Sequence, residues 1–315
     1  MTMKDLALRV RKLTIVLATR RLRDALLTHG VAASTEHGRV LRQLGEVCCV
    51  VDIGANRGQF ALIARACFPF AVIVSFEPLA LPAATCRAVF ANDARAISHE
   101  AAIGPEARTT QIYVSKRDDS SSLLPITATQ NAIFPGTAGV GTQIITVAPL
   151  STYLALEAIE EPALLKLDVQ GFELQALIGC EDLLARFSWV YAECSFVELY
   201  GGQALADEII AWLYQRGFGL YGVYNMSYDV TARAVQADFL SKGRSQRSQR
   251  HRDRSRIAIL HILIDPSALT SKNKMRLAAG IMPQLNHVRE GSSGRTGQAE
   301  YLTADTHFDP SRIRN

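Results

Sequence analysis

A glycine-containing turn is the first part of the sequence whose residue types suggest chemistry. Residues 50–60 read VVDIGANRGQF, so an apolar segment leads into Asp52 and the glycines Gly54 and Gly58 follow. A dinucleotide-binding turn has the pattern G-x-G-x-x-G, but Asn56 stands where the middle glycine would be. Without that glycine the close approach of a pyrophosphate is harder. The turn therefore favours a cofactor that contains no phosphate.

An acidic residue at the end of the next apolar segment suggests which cofactor this is. Glu77 follows Asp52 by 25 residues, and a carboxylate at such a strand end can accept both hydroxyls of a ribose. S-adenosylmethionine has a ribose, an adenine, a sulfonium and an amino-acid tail, but no phosphate. We predict that it binds here, with Asp52 orienting the turn or meeting the ammonium group. The predicted cofactor-binding residues are Asp52, Gly54, Ala55, Asn56, Gly58, Glu77 and Pro78.

A second informative stretch, LLKLDVQGFELQALIG, covers residues 164–179. An apolar strand ends at Asp168, Gly171 allows a sharp turn, and Glu173 falls in the first turn of the following helix. An unpaired carboxylate at the mouth of a buried strand is costly unless it meets a ligand, a metal or hydrogen-bond donors. Asp168 is therefore a candidate functional residue. Glu173 is explained equally well as a helix-start residue whose charge complements the helix dipole.

Apolar segments alternate with helical segments between residues 47 and 240, which predicts an α/β fold. The fold should contain a mainly parallel sheet with helices on both faces. The predicted strands are residues 47–53, 71–76, 97–103, 110–114, 143–147, 164–169, 189–194, 218–224 and 237–240. Ligands of such sheets bind at the carboxyl ends of the strands. Those ends carry Asp52, Glu77, Asp168 and Glu193.

The segments between the strands predict helices and one long loop. The predicted helices are residues 59–66, 81–90, 151–159, 172–184 and 204–216, and Ser151 is a possible N-cap. Residues 115–141 are rich in Ser, Thr, Gly and Pro. Loops of this length inside a compact domain are often lids or binding loops, so we expect this one to shape a ligand pocket.

The charge distribution argues against nucleic acid as a partner. Residues 242–256 carry a local net charge of +6, which leaves −2 of the formal +4 to the rest of the chain. The basic run contains no aromatic residues for base stacking. We interpret it as part of a solvated, disordered tail over residues 242–315, with a possible helix or strand at 257–264.

Cysteine usage and hydropathy indicate a cytoplasmic location. The six cysteines form no C-x-x-C pair, and most lie in apolar runs, as expected of buried thiols in a reducing compartment. No apolar run approaches the ~18–20 residues of a membrane-spanning helix. Residues 13–19 lie between basic pairs, which favours a helix packed on the domain and allows at most peripheral membrane contact.

Three ordered motifs together resemble the FkbM family of S-adenosylmethionine-dependent methyltransferases. They are Asp52-Ile-Gly-Ala-Asn-Arg-Gly, Phe76-Glu-Pro and Leu165-Lys-Leu-Asp-Val-Gln-Gly-Phe-Glu. The similarity runs from about residue 47 to 240 and includes Ser121-Ser-Leu, Tyr191-Ala-Glu and Gln236-Ala-Asp. It implies a Rossmann-like, seven-stranded class I methyltransferase sheet. It also implies methylation of hydroxyl groups on sugars of glycolipids and polysaccharides, or on polyketides.

The resemblance divides the chain into three segments and shows two departures. We predict an N-terminal helical segment (1–46), a methyltransferase domain (47–241) and the basic tail (242–315). The family often has an acidic residue in the segment that here reads Ala-Pro-Leu-Ser-Thr, residues 148–152. Its members usually end soon after the last strand, so the tail is either an extension or a read-through or frame-altered segment.

A methyl transfer to a hydroxyl needs alignment and removal of a proton. Asp168 and Glu193, at neighbouring strand ends, are the best candidate pair, and Glu173 is the third predicted catalytic residue. Gln170 cannot act as a base but can orient the hydroxyl. His99 is a candidate base, although a lone histidine in a strand is more often structural. A divalent metal is possible, but no histidine cluster supports one.

Three other functions compete with this hypothesis. An oxidoreductase with the same sheet is disfavoured by the missing middle glycine. A nucleic-acid methyltransferase is disfavoured by the charge of the body and by the absence of an Asn/Asp-Pro-Pro-Tyr/Phe motif. A catalytically inactive methyltransferase-like binding protein is the alternative that the altered tail and loop leave open. The sequence predicts a small-molecule, glycan or glycolipid acceptor, and it does not define the oligomeric state.

Overall fold

The computed structural model of the protein describes residues 14–243. Its α-helices are α1 (Arg20–His29), α2 (Gly38–Gln43), α3 (Gln59–Cys67), α4 (Ala80–Val89), α5 (Ala128–Ile133), α6 (Glu173–Gly179) and α7 (Ala206–Gln215). Its strands are β1 (Cys49–Ile53), β2 (Val72–Phe76), β3 (Ala96–His99), β4 (Ala102–Ile103), β5 (Arg108–Ser115), β6 (Gly139–Ala148), β7 (Ala163–Leu167), β8 (Phe187–Ser195), β9 (Phe218–Tyr228) and β10 (Ala234–Gly243).

The main sheet has seven strands in the order β3-β2-β1-β7-β8-β10-β9. The ladders from β3 to β8 are parallel, and β10 is antiparallel to both of its neighbours. This arrangement confirms the predicted α/β class with a seven-stranded, mainly parallel sheet. Strands β1 and β7 lie at its centre, and all five residues of each are buried.

Side chains of the central strands alternate between two apolar layers. Val51 and Leu165 pack in one layer with residues of α6 and α7. Val50 and Leu164 pack in the other with residues of α1 to α4. Because both faces are covered, successive residues of these strands must all be buried, which explains their near-continuous apolar sequence. The helices lie on both faces, as predicted.

A small second sheet, in the order β4-β6-β5, corrects the prediction of one strand over residues 97–103. The chain leaves the main sheet after His99, and Ala102–Ile103 pairs in parallel with β6. Both ends of the predicted segment are strands, but they belong to different sheets. Hydrophobic periodicity records burial and does not show where a chain changes sheets.

Two predicted segments differ from the structure. The predicted loop 115–141 contains helix α5, whose N-cap Thr127 accepts a hydrogen bond from the Gln130 amide at 3.2 Å, and the start of β6. The predicted helix 151–159 is instead two short 3₁₀ turns, Leu150–Thr152 and Leu156–Ala158. Ser151 is therefore not a helix N-cap. The fully buried Leu150 and Ile159 anchor this connection at its two ends, and this packing overrides local helix propensity.

The predicted helix 172–184 is an α-helix only over α6 and continues as a 3₁₀ turn, Glu181–Arg186. Gly179 at the end of α6 lies against the backbone of Gly104, where an added Cβ would lie 2.5 Å from the Gly104 carbonyl. The helix can approach the small sheet this closely only with glycine at that position.

The ends of the described region bear on two further predictions. Val16 is buried in the same apolar layer as α1, which agrees with an N-terminal segment packed on the domain. Within residues 14–243 no helix is long and apolar enough to cross a membrane. Strand β10 reaches Gly243. The rest of the predicted tail, with the possible element at 257–264, lies outside the described residues and stays a prediction.

Candidate active site

A cavity of about 1000 Å³, counting its open mouth, lies at the carboxyl edge of the main sheet. The strand order places the segments that follow β3, β2, β1 and β7 side by side along this edge. They contribute Ala101, Glu77, Gly54 and Asp168 to the cavity wall. The cavity therefore lies where the sequence predicted ligand binding.

The turn after β1 is held by main-chain hydrogen bonds and by close contacts with neighbouring segments. The amides of Gly54 and Ala55 both donate to the carbonyl of Phe76 at 3.0 Å. Gly54 has φ +79°, and an added Cβ would lie 1.8 Å from the carbonyl oxygen of Asp168. Gly58 has φ +87°, and its Cβ would meet the ring of Phe90 at 3.0 Å. Both glycines are thus required by close packing inside the protein.

Glu77 is a buried carboxylate with a fixed orientation. Its Oε2 accepts a hydrogen bond from the Asn56 amide, and its Oε1 accepts one from the Leu79 amide, both at 2.9 Å. Burial raises the pKa of Glu77 to about 7, although these hydrogen bonds act in the opposite direction. Asn56 reaches this position through a left-handed backbone, φ +46°. With Pro78 beside it, the carboxylate borders the cavity.

Asp52 is placed differently from the other predicted cofactor residues. Its side chain is completely buried, 2.9 Å from Lys166 Nζ, and it does not border the cavity. Lys166 Nζ also donates to the carbonyl of Gly54 at 2.8 Å. These contacts agree with the predicted role of Asp52 in orienting the turn, through Lys166. A direct contact with an ammonium group would require an exposure that it lacks.

Lys166 is a site residue that sequence reasoning missed. Burial alone would lower its pKa, but the carboxylates of Asp52 and Asp168 raise the pKa above its ordinary value. Burial raises the pKa of Asp52, and the positive charge of Lys166 opposes this rise. The available signal was a lysine within the apolar run LLKL, since an unpaired lysine is almost never fully buried.

Gln170 connects the predicted catalytic carboxylates. Its Nε2 donates to Asp168 Oδ1 at 2.7 Å and to Glu193 Oε2 at 3.1 Å. Its Oε1 accepts a hydrogen bond from the buried Tyr200 hydroxyl at 2.6 Å. The backbone of Gln170 is left-handed, φ +56°, a conformation that non-glycine residues adopt only when their surroundings hold them there.

The three predicted catalytic residues occupy different environments. Asp168 borders the cavity, and its side chain is 39% exposed. Glu193 is partly buried, and its Oε1 accepts a hydrogen bond from Gln236 at 2.7 Å. Burial and the nearby carboxylates raise the pKa of Glu193 well above its ordinary value. Neither Glu193 nor Glu173 is among the described residues that line the cavity, so a catalytic role for either stays a prediction.

Glu173 stabilises the turn that precedes α6. Its Oε1 accepts hydrogen bonds from the amides of Val169 and Gly171, both at 3.1 Å. Burial raises the pKa of Glu173 to about 7. These contacts agree with the interpretation of Glu173 as a helix-start residue.

His99 also lies outside the cavity wall. Its ring stacks on Phe76 with centroids 5.0 Å apart, and burial lowers its pKa. This position agrees with the structural interpretation of His99.

Part of the predicted loop covers the cavity and is attached to both sides of it. Asp118, Asp119, Ser121 and Leu123 line the wall. Arg57 forms a two-point ion pair with Asp118, one of whose hydrogen bonds is 2.8 Å long. The hydrogen bond to Asp118 raises the pKa of Arg57.

On the other side of the cavity the loop is attached through Ser122. The Ser122 hydroxyl donates to the carbonyl of Gln170 at 2.6 Å. The resemblance had singled out Ser121-Ser-Leu without assigning it a contact. In the structure this segment joins the loop to the turn that carries Asp168.

His37 is a second cavity residue that sequence reasoning missed. Its Nδ1 lies 3.0 Å from the Tyr191 hydroxyl and 3.4 Å from Asp238. It precedes α2 in a segment where the sequence shows no chemical motif. Only the fold brings it to the cavity.

The described residues offer no evident metal site. Between residues 14 and 243, no group of three or more His, Cys, Asp or Glu side chains is arranged to hold a metal ion. The donor set at the cavity instead suits an adenosine cofactor. Glu77 is pre-oriented for hydroxyl donors, and the wall that follows β3 is apolar.

The fold and the site define the class of the protein. A seven-stranded sheet with β10 antiparallel and a cavity over β1 and β2 is a Rossmann-like, class I methyltransferase fold. The family model described as "Methyltransferase FkbM domain" matches residues 52–220, more than half of the chain. The chain therefore belongs to the FkbM methyltransferase family, as the motifs predicted. Members of methyltransferase families generally use S-adenosylmethionine.

A comparison with solved structures returns partial matches at TM-scores below 0.5. A putative RNA methyltransferase from Pyrococcus horikoshii is 8% identical with a TM-score of 0.36, over 66% of this chain and 83% of that one. A precorrin-6y C5,15-methyltransferase from Geobacter metallireducens GS-15 is 10% identical with a TM-score of 0.38, over 68% and 94%. A riboflavin-derivative dimethyltransferase from Streptomyces davawensis is 16% identical with a TM-score of 0.34, over 75% and 64%. No curated protein matches the sequence.

Proposed function

We propose that the protein is an S-adenosylmethionine-dependent O-methyltransferase whose acceptor is a hydroxyl of a sugar, glycolipid, polysaccharide or polyketide-type molecule. One observation carries the proposal. A buried, pre-oriented Glu77 and a half-exposed Asp168 border the same cavity on opposite sides of the Gly54 turn. The first suits a ribose diol, and the second suits an acceptor hydroxyl.

The cofactor fits the residues on the β2 side of the cavity. Each carboxylate oxygen of Glu77 has accepted one hydrogen bond from the main chain and retains capacity for a second from a ribose hydroxyl. Beyond it, Ala102, Ile103 and Phe172 provide an apolar wall suited to an adenine ring. When bound, the cofactor supplies a methyl group on a sulfonium, so no protein nucleophile is needed.

Asp168 and its neighbours would serve the acceptor. Asp168 Oδ1 is held by Gln170, which leaves the other carboxylate oxygen available to accept the proton of an acceptor hydroxyl. Lys166 Nζ lies 3.9 Å from Asp168 Oδ2 and anchors that carboxylate beside the Gly54 turn. The loop residues Asp119 and Ser121 would hydrogen-bond other hydroxyls of the acceptor and limit the access of water.

The properties of the acceptor follow from these walls. Carboxylates and hydroxyls that line a cavity favour a neutral, polyhydroxylated ligand, and this supports a glycan, glycolipid or small-molecule acceptor. Nucleic acid is not an expected partner, because the chain outside residues 242–256 carries a net charge of −2 and offers little attraction to a phosphate backbone. A cytoplasmic location, with at most peripheral membrane contact, accompanies this proposal.

Calorimetric titration tests the cofactor part of the proposal first. S-adenosylmethionine and S-adenosylhomocysteine are titrated into the full chain and into a Glu77→Gln variant. We expect saturable binding by the wild type and a loss of about tenfold or more in the variant, because a charge-assisted hydrogen bond is removed. Glu157→Gln, at an exposed 3₁₀ turn, is the matched control. Absence of binding by the folded wild type contradicts the proposal.

A screen of acceptors tests the reaction itself. Monosaccharides, glycolipids and polyketides with free hydroxyls are incubated with labelled cofactor, and the formation of S-adenosylhomocysteine is followed. We expect turnover with at least one class of hydroxyl acceptor, and we expect Asp168→Asn to abolish it while cofactor binding is retained. Cofactor binding without turnover on any acceptor would favour the alternative of a catalytically inactive binding protein.

A further inference from the structure

The strand order defines the direction in which a cofactor would lie along the cavity. The strands β3, β2, β1, β7 and β8 follow each other at the carboxyl edge. Glu77 follows β2, and the apolar residues Ala101–Ile103 follow β3 on its outer side. With the ribose at Glu77 and the adenine against that apolar wall, the amino-acid end would extend the other way. It would pass Gly54 and approach β7 and β8.

His37 borders the cavity at this far end, and its ring is fixed there. Its Nδ1 lies 3.0 Å from the hydroxyl of Tyr191, a residue of β8, and 3.4 Å from Asp238 of β10. The ring also packs edge-on against Phe60, with centroids 5.4 Å apart. Strands and helix together therefore hold the imidazole in one orientation.

The hydrogen bonds around Tyr191 determine how His37 is used. The Tyr191 hydroxyl donates to Asp238 at 2.9 Å, and burial raises the pKa of Tyr191, so the hydroxyl remains protonated. His37 Nδ1 lies 3.0 Å from this hydroxyl and 3.3 Å from the side-chain amide nitrogen of Asn225, so it can donate to the first or accept from the second. The polar contacts of the ring with described residues are all made by Nδ1, and His37 is among the residues that line the cavity, so Nε2 is the nitrogen available to a ligand. Asp238 lies close enough to balance the charge of an imidazolium.

The other charged groups of the cavity wall do not suit an anion. Lys166 is engaged by the Gly54 carbonyl at 2.8 Å and by Asp52 at 2.9 Å. The remaining charged residues of the described wall are carboxylates: Glu77, Asp118, Asp119 and Asp168. Asp118 is paired with Arg57 and Asp119 with Arg117, so the repulsion of a ligand carboxylate would come mainly from Glu77 and Asp168. Among the described wall residues, His37 is therefore the group suited to receive it.

We propose that His37 Nε2, with the hydroxyl of Ser34 beside it, binds the α-carboxylate of the cofactor's amino-acid moiety. Ser34 lines the same end of the cavity, and its amide donates to the carbonyl of Gln59 at 3.1 Å, which fixes it beside α3. The inference rests on the proposed function and deepens it. It assigns the recognition of one end of the cofactor to a segment that precedes the glycine turn.

A calorimetric cycle that changes the residue and the ligand group together tests this assignment. S-adenosylhomocysteine and its decarboxylated analogue are titrated into the wild type and into His37→Phe, which keeps an aromatic ring against Phe60. We expect the wild type to prefer the carboxylate-bearing ligand by about tenfold or more, and His37→Phe to reduce this preference to within about twofold. His29→Phe, at an exposed position of α1, is the matched control and should retain the wild-type preference.

Each outcome separates this inference from the proposed function. Binding of neither ligand by the wild type contradicts the cofactor proposal itself. Equal binding of both ligands by the wild type, or an unchanged preference in His37→Phe, overturns the role of His37 and leaves the cofactor proposal intact.

A second variant covers the case in which His37→Phe binds nothing because it does not fold. Tyr191→Phe then decides, since it removes only the hydroxyl that supports Nδ1. We expect it to lower the preference by about threefold, and an unchanged preference overturns the inference.

Discussion

The two sides of the cavity are built in different ways. On the cofactor side, the turn at Gly54 and the carboxylate of Glu77 are held by main-chain amides and carbonyls. On the acceptor side, Asp168 is held by Gln170, which depends in turn on the side chains of Glu193 and Tyr200. Hydrogen bonds between main-chain atoms do not depend on which side chains are present, so they hold the turn in one shape. Hydrogen bonds between side chains can be removed singly by substitution, so an acceptor site built from them can be altered one residue at a time.

The difference predicts where each side tolerates substitution. A substitution on the cofactor side should act mainly on folding, because the main chain itself is packed closely there. A substitution on the acceptor side should act mainly on the orientation of Asp168. The following predictions test this division, from the largest expected effect to the smallest.

Gly54→Ala should have the largest effect on stability. The added Cβ would lie 1.8 Å from the carbonyl oxygen of Asp168, and φ is +79°. Backbone atoms of two central strands would have to move apart, so we expect a loss of more than about 4 kcal/mol in the free energy of unfolding. Urea denaturation followed by circular dichroism measures it.

Gly30→Ala separates the two causes of that loss. Gly30 has a similar φ of +68°, but nothing lies within 4 Å of an added Cβ. It should lose only the ~1–2 kcal/mol of a left-handed alanine. Similar losses in the two variants would show that the contact with Asp168 contributes nothing, and would contradict the close packing of the cofactor side.

Lys166→Met should have the next largest effect, because Lys166 joins the two sides. It would leave Asp52, which is 0% exposed, without a counter-charge, and Gly54 O without its donor. Breaking a buried ion pair in this way costs about 3–5 kcal/mol. The double variant Lys166→Met with Asp52→Leu should recover at least ~2 kcal/mol in the same denaturation measurement. If the double variant is no more stable than Lys166→Met, the ion pair with Asp52 is not the source of the stability that Lys166 contributes.

The same division explains how much of the fold and site the sequence predicts. Strands β1 and β7 are buried on both faces, so their apolar runs are visible without a structure. The cofactor side depends on main-chain geometry, which requires glycines and a strand-end acid at fixed spacing, as at Gly54 and Glu77. The sequence therefore predicts both the sheet and this side of the cavity.

The acceptor side and the small sheet show where such prediction fails. Gln170 forms hydrogen bonds with residues from three other segments of the chain. These segments are far apart in the sequence, and no local pattern indicates that they meet. His37 is brought to the cavity by packing against Phe60 and Tyr191. The predicted strand 97–103 is divided between two sheets, and β-strand propensity at both of its ends does not reveal the change of sheet. In each case tertiary contacts determine where the residue or strand lies, and the local sequence pattern does not.

Glu173→Gln should reveal whether Glu173 acts in catalysis or only in the turn. Burial raises the pKa of Glu173 from 4.5 to about 7, so the folded protein binds a proton more tightly than the unfolded chain between these values. Stability from this group is therefore present at low pH and is lost as the pH rises through 7. A glutamine oxygen can still accept from the Val169 and Gly171 amides.

We expect Glu173→Gln to be more stable than the wild type at pH 8 by on the order of 2 kcal/mol, and nearly equal to it at pH 4.5. Unfolding by urea at the two pH values measures the difference. A variant that is less stable than the wild type at pH 8 contradicts a purely local role. Loss of methyl transfer with retained stability and cofactor binding would support the catalytic role that the sequence suggested.

Tyr200→Phe should have the smallest effect on stability and the most selective effect on the acceptor side. It removes the hydroxyl that donates to Gln170 Oε1 at 2.6 Å while the ring keeps its packing against Gly171. The same hydroxyl lies 3.2 Å from the Ser120 carbonyl, and the loss of this shared hydrogen bond should lower the free energy of unfolding by about 1 kcal/mol. The Gln170 amide is then free to rotate and to present its oxygen to Asp168, so turnover should fall by about tenfold while the affinity for S-adenosylhomocysteine is unchanged.

The control variant is Tyr221→Phe, at an exposed position on β9, which should change neither stability nor turnover. Equal losses of turnover and cofactor affinity in Tyr200→Phe would mean that the two sides of the cavity are not independent. The distinction between main-chain and side-chain construction would then not extend to function.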